Sequence, residues 1–180
     1  ILGGRNSDKL FALHVEEYDP KLDKWFSKSS LPNIRSYLAS VTVNNKIYVI
    51  GGWNGNNDVS IVEEYDPQKN IWFGKKDMPT ARDGLSLCVA YKKIFAVGGV
   101  GGNSLPGSAL PTVEEYDPET DTWMKKADML VARGGHATVT INNKIYVFGG
   151  QTGLWGPGEG PLVSAVEEYD PLTDRWVRKS

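Results

Sequence analysis

The sequence predicts an all-β fold, a propeller-type array of four-stranded antiparallel blades, on three observations. The words Val-Glu-Glu-Tyr-Asp-Pro occur four times, at 15–20, 62–67, 113–118 and 166–171, and a tryptophan follows each tyrosine by seven residues (Trp25, Trp72, Trp123 and Trp176). A Gly-Gly pair recurs at 3–4, 51–52, 98–99 and 149–150, at intervals of 48, 47 and 51 residues. No stretch carries a helical period, and every unit is punctuated by Asn, Asp, Gly and Pro at strand spacing. Fixed marks with variable text between them are what one supersecondary unit used four times leaves behind. Four short strands in about 50 residues make that unit a blade.

The second unit shows the order of elements. Residues 36–43 mix small and apolar side chains in a strand-like run, and Asn44-Asn45 supplies a tight turn, as Asn142-Asn143 does in the fourth unit. Asparagine tolerates the positive φ that two-residue hairpin turns demand. Ile47-Tyr48-Val49-Ile50 is apolar at every position, which suits a strand covered on both faces. Gly51-Gly52 ends it, where the backbone must bend sharply or lie close to a neighbour. A third strand, 61–65, runs into Asp66-Pro67-Gln68-Lys69-Asn70. There proline presets φ and the acidic side chain caps the turn. A fourth strand is centred on Trp72.

Further marks stand at fixed distances. Arg35, Arg82 and Arg133 each lie ten residues after a repeat tryptophan and sixteen before a Gly-Gly pair. The ordered Arg, Gly-Gly, Tyr-Asp-Pro and Trp resemble the kelch repeat, and the resemblance covers essentially the whole chain. It implies blades of a β-propeller, commonly six or seven to a ring, with the first strand of each blade lining the central channel and the Trp strand outermost. The chain reads as one propeller region, 1–180, with repeats at about 1–32 (partial), 33–79, 80–130 and 131–180. Three whole blades and three strands of another make an arc. The expected explanations are that the span is a portion of a longer ring, or that copies self-associate to complete the circle.

Composition narrows the function. The formal charge of −2 and the scattered basic residues favour neither nucleic acid nor an anionic membrane. The single cysteine, Cys88, sits in an apolar run and reads as a buried structural thiol, with no disulfide partner in the chain. No segment reaches the roughly 20 apolar residues of a membrane span. With no signal peptide in the span, the expectation is a cytoplasmic protein. Catalysis finds little support. His14 and His136 fall in different repeats, and no His/Asp/Glu spacing resembles a metal site, so neither metal nor cofactor is expected. Gly98–Gly102 follows a strand without a helix after it and lacks the geometry of a phosphate loop. A kelch-type propeller also carries the copper enzyme galactose oxidase, but its cysteine–tyrosine crosslink and histidine ligands have no counterpart here.

In an array, residues that obey the repeat build the scaffold and departures are free to serve a partner. The interval from Gly-Gly to Tyr varies (14, 13, 17 and 19 residues) while the others hold. The variable segments, 5–13, 53–60, 100–111 and 151–164, all join second to third strands and are expected on one face. Trp53, Asn54 and Asn56 in one, and Leu154 and Trp155 in another, are candidate contacts, because tryptophan is enriched among interface hot spots. The resemblance also places the segments that lead into the innermost strands on this face. Arg35, Arg82 and Arg133, with Asn33, Ser36, Tyr37 and Asp83, are then expected to rim a channel mouth and attract an acidic peptide. The expected function is non-catalytic protein or peptide binding, as the substrate-recognition part of a ubiquitin-ligase adaptor or as a cytoskeletal scaffold. The alternative is a propeller enzyme or carbohydrate binder, oxidase- or epimerase-like, using the same face.

Overall fold

A computed structural model of the chain describes residues 3, 13–101, 108–153 and 160–179. In blade 1, β1 (Val15–Asp19) pairs with β2 (Lys24–Lys28). Blade 2 runs β3 (Ala39–Val43), β4 (Lys46–Ile50), β5 (Val62–Asp66) and β6 (Ile71–Gly74) in chain order across one sheet. Blade 3 begins with β7 (Ser86–Ala90) and β8 (Lys93–Val97), leaves its sheet for a two-stranded ribbon of β9 (Val100–Gly101) and β10 (Ser108–Ala109), and finishes with β11 (Val113–Asp117) and β12 (Thr122–Lys126). Blade 4 holds β13 (Ala137–Ile141), β14 (Lys144–Phe148), β15 (Glu167–Asp170) and β16 (Arg175–Arg178). Every pairing is antiparallel. First strands touch first strands, β3 against β7 and β7 against β13, so the blades fan about a common axis. The described residues include no helix long and apolar enough to cross a membrane.

Local chemistry explains the turns. Asn44 and Asn45 take φ of 51° and 59°, and Asn142 and Asn143 repeat those values; in blade 3 Tyr91 and Lys92 adopt the same left-handed pair. Asp66 Oδ1 accepts from the amides of Gln68 and Lys69, closing the turn before β6.

Two kinds of contact join consecutive blades among the described residues. At the inner end, the Gly52 amide donates to the carbonyl of Arg82 and the Gly99 amide to that of Arg133. A Cβ on Gly51 would stand 2.6 Å from the Arg82 oxygen, and Gly51 also has φ of +66°, so glycine is required on both counts. At the outer edge, the indole N–H of Trp72 donates to Ser29 O, that of Trp123 to Lys76 O and that of Trp176 to Ala127 O, each at 2.9 Å. Two residues before each tryptophan, Asn70, Asp121 and Asp174 accept from the amides of Ser29, Lys76 and Ala127. Trp72, Trp123 and Trp176 thus lie between blades, half-buried against the repeat tyrosine, whereas Trp25 of blade 1 is 53% exposed. The Tyr65 and Trp72 ring centres are 4.8 Å apart.

Between these ends the sheets pack face to face. Tyr48, Ile50 and Val62 of blade 2 meet Leu87, Ile94 and Tyr116 of blade 3, and Cys88, Phe95 and Val97 of blade 3 meet Ile145, Val147 and Tyr169 of blade 4. Burial pushes the Cys88 thiol up to about 12, as befits a packing residue. On the far side of blade 4 the matching positions are open: Phe148 is 41% exposed where Ile50 and Val97 are at 0%.

The arginines require a correction. Arg35, Arg82 and Arg133 have no exposed surface and do not present their guanidinium groups to a channel mouth. Each turns into its own blade. Arg35 pairs with Glu63 at 2.8 Å, Arg82 with Glu114 at 2.6 Å, and Arg133 with Glu167. Each also donates to a carbonyl at the end of the second strand: Val49, Ala96 or Gly149. The carboxylates are themselves buried, so attraction for an outside acidic group is spent internally.

Three outcomes are expected in the complete propeller. Trp72→Ala lowers unfolding free energy by about 3 kcal/mol, through lost aromatic packing and a lost interblade hydrogen bond. An unchanged denaturant midpoint refutes that role. Arg82→Met strands the Glu114 charge and loses about 3–5 kcal/mol, and adding Glu114→Leu restores part of it; equal loss in single and double variants argues against the pairing. His136 occupies the interblade position that Leu85 holds one blade earlier, and burial, aided by the Arg133 charge, depresses its imidazole from 6.5 to about 4. The neutral ring is the folded form, so its contribution is present above pH 6.5 and lost as pH falls through 4. The loss reaches about 3 kcal/mol at 1.36 kcal/mol per unit, and His136→Leu flattens this part of a stability-against-pH curve.

Candidate recognition face

The segments that lead into the innermost strands and those that follow the Gly-Gly pairs meet at one end of the blades. Ser36 bridges to Trp53, Asp83 to Val100 and Gly134 to Gln151. The same three residues bridge on their other side to the returning loop, Trp53 to Asp58, Val100 to Ala109 in the β9–β10 ribbon, and Gln151 to Leu162. This fixes the correspondence between loops of unequal length, with Asp58, Ala109 and Leu162 equivalent, and Ser36, Asp83 and Gly134 equivalent. The Ala109 amide donates to Gly153 O, so the loops of blades 3 and 4 share one side.

Closest to the axis, a line of backbone hydrogen bonds runs from blade to blade. Gly84 N donates to Tyr37 O and Gly135 N to Gly84 O. All three residues are left-handed, with φ of 54°, 55° and 61°. Glycine takes this conformation freely, whereas a tyrosine there is strained by about 1–2 kcal/mol. Tyr37 is nevertheless 55% exposed, so no packing of the described residues accounts for it.

The other candidates divide. Trp53 is half-buried between Ser36 and Asp58. Asn54 Oδ1 accepts from the amides of Asn56 and Asn57, so it shapes its own loop, while Asn56 is exposed. Asn33 Nδ2 donates to Glu63 Oε1 and supports the buried ion pair. Ser36 is buried with an unpartnered hydroxyl. Leu154 and Trp155 lie outside the described residues.

Asp83 is 7% exposed and its Oδ1 has no hydrogen-bond partner. Burial, then the charge of Asp58, pushes its carboxyl up to about 7, and burial also raises Asp58. Sequence reasoning missed Asp58, which stands out only when the bridges set it against Ala109 and Leu162. It also missed Glu63, Glu114 and Glu167, although alternation along β5 puts Glu63 on the same face as Tyr65. Among the described residues no group of three or more His, Cys, Asp or Glu side chains is placed to hold a metal ion.

Comparison with known proteins matches residues 1–150 to the KLHDC2/KLHL20/DRC7 Kelch-repeats domain and residues 132–180 to the Kelch motif. Kelch-like protein 7 of Rattus norvegicus is 48% identical over 178 residues, 98% of this chain and 29% of that protein. Kelch-like protein 25 of Xenopus tropicalis is 31% identical over 182 residues, 98% of this chain and 22% of that protein. The solved structure of YjhT aligns at a TM-score of 0.78 and 20% identity, over 99% of this chain and 64% of that one. The chain therefore spans less than a third of the curated relatives it matches, and about two thirds of a solved propeller of the same fold. Its repeated blade, its interblade contacts and these matches agree: the chain belongs to the kelch-repeat family.

Proposed function

We propose that this chain is a non-catalytic recognition module that binds a protein or peptide across the mouth of the propeller, within a substrate-recruiting adaptor of the ubiquitin-ligase type. The observation that carries the reading is Tyr37, a strained and exposed aromatic side chain at the innermost turn, where the next two blades have glycine. Strain of this kind persists where function uses it, and tyrosine is among the residues that dominate binding energy. Trp53, paired with Ser36 next to Tyr37 in the same blade, adds a second aromatic to the same rim. Kinship with Kelch-like proteins and with the human Kelch repeat and BTB domain-containing protein 12 supports a binding role within a longer chain.

The test uses Tyr37→Gly in the full-length protein. Glycine relieves the left-handed strain while loosening the unfolded chain by a similar amount, so the melting temperature stays level or rises. Affinity for the bound protein falls about 30-fold, the equivalent of a 2 kcal/mol hot spot. Ubiquitination of that protein falls in parallel. Unaltered binding by Tyr37→Gly and Trp53→Ala together refutes the mouth as the binding face.

A further inference from the structure

We infer that the mouth holds, at the junction of blades 2 and 3, a subsite for a basic side chain of the partner protein, built from Asp58, Asp83 and Ser36. The inference rests on the recognition face proposed above and assigns the chemistry of what enters it. It reverses the sign expected from the three arginines, whose charges are consumed within the blades.

Placement comes first. The Arg82 amide donates to Val59 O, which lays residues 58–59 of the blade 2 loop against residues 82–83 of blade 3. Two carboxylates are thereby brought to one junction. At the next junction the same contact, Arg133 N to Leu110 O, sets Ala109 beside Gly134, with no charge at all. The acidic pair is thus absent from the scaffold positions of the neighbouring blades, and the fold does not need it.

The polar groups themselves make the second observation. Asp83 is nine-tenths buried, and neither it nor Asp58 has a side-chain hydrogen bond or an ion-pair partner among the described residues. The buried hydroxyl of Ser36 is likewise unpartnered and lies across the Trp53 backbone from Asp58. Buried acceptors are costly to leave unpaired, and two carboxylates at one junction repel. A cationic donor with several N–H groups answers both problems at once. Guanidinium fits best, since it engages two acceptors from one plane and stacks on an indole such as that of Trp53. With two carboxylates and no third ligand of the metal-binding kind among the described residues, the site is poorly furnished for a divalent cation.

A random peptide library displayed on phage, panned against the complete propeller, tests this. Selected peptides are expected to share an Arg or Lys, and replacing it with citrulline or norleucine to weaken binding at least tenfold. Asp58→Ala with Asp83→Ser, which installs the residues of the neighbouring blades, loses the same factor and melts no lower than the parent. In that variant the citrulline or norleucine exchange has no further effect. Selected peptides without a common basic residue, or an exchange that weakens binding equally in parent and variant, overturn the subsite. If those peptides still depend on Tyr37 and Trp53, the recognition face survives and only its charge preference falls; if they ignore both, or none is selected, both readings fall. Binding abolished by EDTA assigns the carboxylates to a metal and also overturns the proposal.

Discussion

Each blade of this protein is held to the next by a contact that leaves no room for variation. At the inner end the Gly-Gly backbone lies so close to the following arginine carbonyl that a methyl group cannot be inserted. At the outer edge an indole N–H and a carboxylate or amide grip the segment leaving the preceding blade. Between them a buried aromatic and aliphatic face is sealed, with Tyr48 against Tyr116 and Phe95 against Tyr169. Stability in such an array is a sum of units and nearest-neighbour interfaces. The positions that make the interface are therefore repeated to the residue, and the constraint reaches the mouth, since the same glycines fix where Trp53, Val100 and Gln151 begin their loops.

The buried arginine–glutamate pair belongs to the interior of the blade. Arginine at the start of the innermost strand reaches the carbonyl of the second strand and the carboxylate of the third, so one guanidinium spans three strands. Taking both charges out of water offsets most of their attraction, so the pair adds less to stability than its short distance suggests. Its stronger effect is on register: a strand shifted by one residue would point Glu63 to the other face and leave Arg35 buried without a counter-charge. The functional consequence is electrostatic silence. Three positive charges that look available in the sequence contribute little potential to the mouth, and among the described residues Asp58 and Asp83 are the carboxylates left without a counter-charge there.

Much of this was legible in the chain before any coordinates. Spacing announced the blade, paired asparagines announced the β3–β4 and β13–β14 turns, and an unbroken apolar run announced β4 as a strand covered on both faces. These features are local, or repeat at a constant interval, and such signals survive projection onto one dimension. Side-chain partnership did not survive it. Arg82 and Glu114 stand 32 residues apart with nothing local to link them, and arginine in a turn before a strand is compatible with either solvent or burial. Asp58 was hidden for a different reason. Its loop differs in length from its counterparts, so only the bridges from Trp53, Val100 and Gln151 supply the alignment that shows an acid where other blades hold Ala and Leu.

Irregularity in a repeat protein carries information in proportion to the rigidity around it. Blades 2 and 3 share the Gly-Gly and tryptophan contacts found between blades 3 and 4, yet Tyr37, Asp58 and Asp83 stand at the blade 2–3 junction and have no counterpart at the blade 3–4 junction. Each is locally unfavourable: a left-handed tyrosine, and two carboxylates drawn together with one nearly buried and unpaired. Three such residues around one gap, on a frame that neither needs nor relieves them, point to a stabilising group that the described residues do not supply. A partner that lays an apolar surface on Tyr37 and a cation between the carboxylates supplies what is missing on both counts.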